Sequence, residues 1–88
     1  MVSQTVKIIN EMGFHMRPAK DFVSAMTKFD SDIFLNVHGK DINGKSIMNI
    51  MASCIKKGDT LTIKCEGADE NQMLDEATAF IKNGMGEL

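Results

Sequence analysis

Three short stretches of alternation constrain this chain more than any other feature. Leu61, Ile63 and Cys65 alternate with Thr62, Lys64 and Glu66. Ile33, Leu35 and Val37 alternate with Phe34 and Asn36, and Val2, Gln4, Val6 and Ile8 with Ser3, Thr5, Lys7 and Ile9. A period of two places each set on one side of a strand. Since the opposite sets are mostly polar, the strands belong in a sheet with one packed face and one wet face, the usual property of antiparallel pairing.

The packed face needs a cover, and two segments have the period to supply it. Ala19, Phe22, Val23 and Met26 fall at i, i+3, i+4 and i+7, while Lys20, Asp21, Ser24 and Lys28 lie off that stripe. Met73, Ala77, Phe80 and Ile81, with Leu74 beside them, form the stripe of a last helix. A third, short helix follows Ser46, a well-placed N-cap whose hydroxyl can accept from a first-turn amide; Ile47 to Ala52 carry apolar side chains on more than one face.

Turn chemistry fixes the order. Asn10 to Gly13 break the first strand, and the first helix should stop near Phe29. His38-Gly39 suits a two-residue hairpin loop into a return strand over 40–43, because glycine and, less readily, histidine accept positive φ. Lys56-Lys57-Gly58-Asp59 makes the next turn. Asp69 with Gln72 reads as a variant capping box, and Asn83-Gly84 as a C-terminal stop. The expected fold class is α+β with the order β-α-β-β-α-β-α: a two-layer, open-faced sandwich of a four-stranded antiparallel sheet with three helices on one face.

Length and charge narrow the function. At 88 residues there is room for one core, so residues 1–88 form a single domain. Ten basic and twelve acidic residues give a formal charge of −2, which argues against a nucleic-acid binder and leaves no polybasic cluster for a membrane surface. The N-terminus has no secretory pattern and no apolar run approaches a membrane span, so a cytoplasmic protein is expected. Cys54 and Cys65 lack metal or redox spacing and read as buried small residues or free thiols.

Chemistry concentrates in Gly13-Phe14-His15-Met16-Arg17-Pro18-Ala19, where strand gives way to helix and where the chain's only proline and only arginine lie. Pro18 belongs in a first helical turn. If it is the third residue of the helix, His15 is the N-cap; if the first, Arg17 is. Either way His15 sits beside amides without intrahelical partners, at the positive end of the helix dipole, a ready site for phosphate. The helix terminus and the Arg17 guanidinium both disfavour imidazolium, so the ring should keep a lone pair for attack on phosphorus. Once a phosphoryl group arrives, the same groups meet a dianion and stabilise it.

These residues resemble the active-site signature of the histidine-containing phosphocarrier (HPr) family of the bacterial sugar phosphotransferase system, which usually reads Gly, aliphatic, His, Ala, Arg, Pro, Ala. Asn43-Gly44-Lys45-Ser46-Ile47-Met48-Asn49-Ile50-Met51 resembles the family's regulatory serine region, of the Gram-positive type. The resemblance covers essentially the whole chain. It implies that His15 accepts a phosphoryl group on Nδ1 from phosphorylated enzyme I and passes it to the IIA domains of sugar permeases. Arg17, with the helix start at Met16 and Pro18, would steady the group, and neither cofactor nor metal is needed. Ser46 would be phosphorylated by HPr kinase/phosphorylase, and the modified form would bind a transcriptional regulator of catabolite repression. Phe14, Met16, Ile47, Met48 and Met51 would form the partner-binding patch of a monomer, adaptable thioethers suiting a surface that fits several partners.

The chain departs from the family in two places. Met16 replaces the usual alanine, and Gly44 stands where Leu or Ala is more common, which suggests a looser loop before Ser46. Two rival functions follow from the residues. A metal carrier would draw on His15, His38, Cys54 and Cys65, but none of them share a ligand spacing. An HPr-like interaction module in a non-sugar phosphorelay would use Ser46 as its switch and leave His15 idle.

Overall fold

The computed structural model describes residues 1–88 as β1 (Val2–Lys7), α1 (Met16–Thr27), β2 (Asp32–Val37), β3 (Lys40–Asn43), α2 (Ile47–Ala52), β4 (Thr60–Glu66) and α3 (Glu70–Lys82). A left-handed turn over Gly84–Gly86 follows. The sheet order is β1-β4-β2-β3, with every neighbouring pair antiparallel. The strand with the cleanest alternation, β4, is therefore inserted between β1 and β2, and its Leu61, Ile63 and Cys65 are fully buried. Burial also pushes the Cys65 thiol up to about 11, leaving it an apolar filler rather than a nucleophile.

Leu61 pairs with Val6 and Ile63 with Leu35, so the inward sets of the three alternating strands form one apolar surface. The helices close over it with Phe22, Met26, Met73, Ala77 and Ile81, all fully buried. The other face stays wet and is laced across strands: Thr5 pairs with Thr62 through their hydroxyls at 2.9 Å, and Lys64 meets Asp41 at 3.2 Å. His38 and Gly39 turn the β2–β3 hairpin at φ 54° and 78°, the two positive values that the two-residue loop requires.

Two local expectations need correction. Asp69 is the N-cap of α3, but its carboxylate does not cap that helix. It accepts instead from the Ser31 hydroxyl and amide and from the Asp30 amide, tying the start of α3 to the turn between α1 and β2. Glu70, not Gln72, reaches back, accepting from the Gly67 amide at 3.1 Å. The loop before Ser46 is not loosened by Gly44: that glycine is buried, and a β-carbon there would lie 2.9 Å from Ile33 Cγ2. Gly44 is required by close approach to β2, where its amide bonds the Ile33 carbonyl at 2.9 Å.

Candidate functional site

The loop that carries His15 is pinned from both sides before it reaches the helix. The Ile8 amide donates to the Asp59 carbonyl at 2.9 Å, the Gly58 amide donates to the Ile8 carbonyl at 2.8 Å, and the Phe14 amide donates to the Ile55 carbonyl at 3.1 Å. Gly13 crosses that carbonyl at φ +60°, so near that a β-carbon would overlap the Ile55 oxygen. Only glycine fits the passage. Phe14 then plunges into the core, 5% exposed, packing edge-on against Phe22 at 5.4 Å and stacking on Phe80 at 6.4 Å. Phe14 is thus removed from the expected partner-binding patch: its ring anchors the loop from beneath and has almost no surface to offer.

With Phe14 fixed, His15 emerges as the N-cap of α1 with an extended backbone, and its carbonyl accepts the first helical bond from Ala19 at 3.0 Å. Of the two readings of the helix start, the one with Pro18 as third residue is realised. Met16 and Arg17 present amides with no acceptor within the helix, and Pro18 has no N–H to leave over. Arg17, two residues after the histidine, is exposed and forms no ion pair, so its guanidinium is uncommitted. Met16 is 53% exposed at the lip of the site, joined by Met12 at 69%.

One residue of the site was not legible from its type or position. The Nε2 of His15 lies 2.6 Å from Oε2 of Glu87, seventy-two residues away in the chain. The other carboxylate oxygen accepts from Asn10 Nδ2 at 2.8 Å, and that amide also donates to the Gly13 carbonyl at 2.9 Å. The Asn10 and His15 bonds, with the nearby Arg17 charge, hold the Glu87 carboxyl below its ordinary range. An ionised carboxylate can only accept, so Nε2 is the nitrogen that carries the hydrogen. Nδ1 makes no hydrogen bond. The anion also opposes the two positive influences expected to act on the imidazole, so the ring is governed by a balance of three charges rather than by the helix terminus and Arg17 alone.

Ser46 is the N-cap of α2, its hydroxyl accepting from the Asn49 amide at 3.2 Å. Of the apolar residues that follow, Met48 is 82% exposed, Ile47 and Met51 are half-buried, and Ile50 is in the core. The helix packs against α1, so the exposed methionines of the two elements belong to neighbouring surfaces. His38 is on the far hairpin, its Nε2 donating to the Asp59 carboxylate at 3.1 Å, Cys54 is exposed after α2, and Cys65 is in the core; no three His, Cys, Asp or Glu side chains gather as a metal site would need. A cleft of about 330 Å³ lies between the hairpin and α2, lined by Val37, His38, Lys40, Ile42, Asn49, Ala52 and Ser53, and takes in none of the His15 group.

An accessible imidazole with one nitrogen hydrogen-bonded and the other free, at a helix start with uncommitted amides and an exposed arginine two residues on, has the parts a phosphoryl acceptor needs. Comparison with known proteins specifies the class. The family model described as PTS HPr component phosphorylation site matches residues 2–83, and the chain belongs to the HPr family of phosphocarriers, which carry a phosphoryl group rather than catalyse a reaction of their own. It is 37% identical over 82 residues to the HPr-like protein Crh of Bacillus subtilis (strain 168), covering 93% of this chain and 96% of that one. It is 32% identical over 87 residues to the phosphocarrier protein HPr of Neisseria meningitidis serogroup A, covering 99% and 98%. The crystal structure of HPr-C-His from Thermoanaerobacter tengcongensis superposes with a TM-score of 0.95 at 35% identity, covering 100% of this chain and 99% of that one. Solved relatives include dimers, among them one of HPr from the same organism.

Proposed function

We propose that this protein accepts a phosphoryl group on Nδ1 of His15 from phosphorylated enzyme I and hands it to the IIA domains of sugar permeases in the cytoplasm. The observation that carries this reading is the division of labour on the ring: Nε2 is occupied by Glu87, so the free Nδ1 is the nitrogen left to bond phosphorus. Arg17 and the amides of Met16 and Arg17 supply positive charge where the phosphoryl oxygens would come to rest, and Pro18 sets the geometry of that turn. The protein contributes positioning alone, since both transfers would take place in complexes with its partners.

Incubation with phosphoenolpyruvate and enzyme I tests the reading. Acid-labile, base-stable phosphate should appear on the wild type and not on His15→Ala. Label on His15→Ala, or none on the wild type, would sink it. Arg17→Ala should slow uptake while leaving the melting temperature nearly unchanged, because its side chain bonds nothing in the fold.

The regulatory part of the proposal is centred on Ser46, as target of HPr kinase/phosphorylase. A phosphate there would stand at a helix start, which tolerates it, and would add roughly −1.5 to −2 charge beside the exposed Met48. It would act on docking through Met16, Ile47, Met48 and Met51, and would create the form read by a catabolite-control transcriptional regulator. Ser46→Asp should weaken association with enzyme I, measured by calorimetry, with an unchanged fold. A second reading, an HPr-like regulatory module switched at Ser46 in a non-sugar relay, is favoured by the 37% identity to an HPr-like protein. Loss of phosphoryl uptake by the wild type with retained Ser46 modification would select it. The carrier is proposed to work as a monomer, and sedimentation at working concentration decides that against the dimers seen among relatives.

A further inference from the structure

The geometry points to Glu87 as the positioning residue of His15, keeping Nε2 protonated through the whole phosphoryl cycle so that Nδ1 alone makes and breaks the bond to phosphorus. The inference rests on the carrier reading and adds to it a part for the far end of the chain.

The segment is built to bring that carboxylate to the ring. Gly84, Met85 and Gly86 follow one another at φ 68°, 58° and 75°, a left-handed coil that turns the chain back on itself after α3. Met85 is not a glycine, yet it is held in this conformation with its side chain 4% exposed in the core, so the coil is anchored at its middle. Gly84 has the positive φ that favours glycine, and a β-carbon there would run into the side chain of Leu88, which lies against it. Between these two contacts Glu87 reaches His15 with its side chain 18% exposed.

Asn10 is the second sign that the pairing is selected by the fold. It is 1% exposed, and both groups facing its amide nitrogen, the Gly13 carbonyl and the Glu87 carboxylate, are acceptors. The amide therefore has one permitted orientation, and that orientation leaves Oδ1 buried without a partner. An unmatched buried acceptor is unfavourable. The fold tolerates it beside the one site where both amide hydrogens are committed, to the loop that carries His15 and to the carboxylate that faces it.

The chemistry then balances without a ring proton moving. The Nδ1 lone pair bonds phosphorus as the donor's bond to phosphorus breaks and its electron pair leaves with the donor. The ring becomes an imidazolium whose Nε2–H points at the Glu87 carboxylate. When the acceptor's nucleophile bonds phosphorus, the N–P pair returns to Nδ1 and the ring departs as neutral imidazole with its tautomer unchanged. The charged side chain that bonds the ring is Glu87 from the terminal turn, with the Arg17 charge from α1 near that carboxylate and Asn10 held against its other oxygen; no other side chain bonds the ring. Arg17 serves the phosphoryl oxygens, and Glu87 serves the cation behind them.

Nitrogen-15 NMR of the histidine ring tests this in two forms of the full chain. In the unphosphorylated protein, a deshielded, slowly exchanging Nε2–H is expected in wild type and lost in Glu87→Ala. In protein phosphorylated with phosphoenolpyruvate and enzyme I, Glu87→Ala leaves the phosphorylated ring without its acceptor, and onward transfer should be roughly tenfold slower than in wild type. A persistent Nε2–H signal in Glu87→Ala, or onward transfer from it at the wild-type rate, overturns the inference. A wild type that shows the held Nε2–H but takes up no phosphoryl overturns the carrier reading and the cycle built on it, while the pairing stands.

Discussion

At the scale of single residues, the site divides into a half that can be read locally and a half that cannot. His15, Arg17 and Pro18 follow one another in sequence, and a proline near a helix start fixes where the imidazole must sit; the helix needed only to begin where the pattern said. Glu87 and Asn10 have no such signal, since their pairing depends on three left-handed residues that coil the chain end back by seventy-two positions. Phe14 failed for a related reason: in a loop no period tells which way a side chain points, and only the ring stack beneath it decides. Positive φ also exposes residues that sequence alone leaves unremarked. Cys54 holds φ 51° while exposed at the end of α2, where glycine would carry no steric penalty. Cys54→Gly is therefore expected to stabilise the protein by ~1 kcal/mol, raising the melting temperature by ~4–8 °C in thermal denaturation. Gly13→Ala should do the reverse, by ~2 kcal/mol or more, with a matching loss of phosphoryl uptake, because the loop can keep its path to His15 only by yielding at Ile55.

At the scale of elements, boundaries and types follow from period and turn chemistry, but the partners of polar side chains do not. Asp69 illustrates the difference. A short carboxylate before a helix has a plausible local acceptor role at that helix, yet here the Ser31 and Asp30 donors of a distant turn claim it. The bond from the Ser31 hydroxyl, with those from the backbone, lowers the Asp69 carboxyl below its ordinary 3.8. A group depressed in the folded state stabilises above its unfolded value and ceases to do so as pH falls through the folded one. Asp69 should thus support the fold at neutral pH and withdraw that support below about pH 4, a window shared with Asp59, which is lowered first by the Lys56 amide. Asp69→Asn is expected to lower the urea midpoint at pH 7 and to flatten the decline of stability between about pH 4 and pH 2. An unchanged acid slope would mean that the turn, rather than the charge, holds α3 to β2.

At the scale of the whole molecule, alternation in three strands was enough to require one wet face and one covered face, and the helices had the stripes to cover it. What alternation could not give is the strand order, because β1, β2 and β4 have interchangeable patterns; the placement of β4 between the other two makes the sheet a product of contacts between both halves of the chain. The site inherits that property. Its loop is pinned to the 55–59 segment, its histidine to residue 87, and its floor is a trio of rings from the loop, α1 and α3: Phe14, Phe22 and Phe80. Phe22 lies at the centre of the trio with no exposure and touches both other rings at 5.4 Å. Removing it should therefore act on stability and site together. Phe22→Ala is expected to cost ~3–5 kcal/mol, a large share of the ~5–15 kcal/mol that holds a domain folded. In thermal denaturation the melting temperature should fall by ~12 °C or more. If the trio joins loop, α1 and α3 into one cooperative unit, the histidine ring signal and the far-ultraviolet dichroism of Phe22→Ala will be lost in a single transition. Loss of the ring signal well before the dichroism would show instead that the loop and the chain end are held by their local bonds, to Ile55 and Asn10, and not by the core.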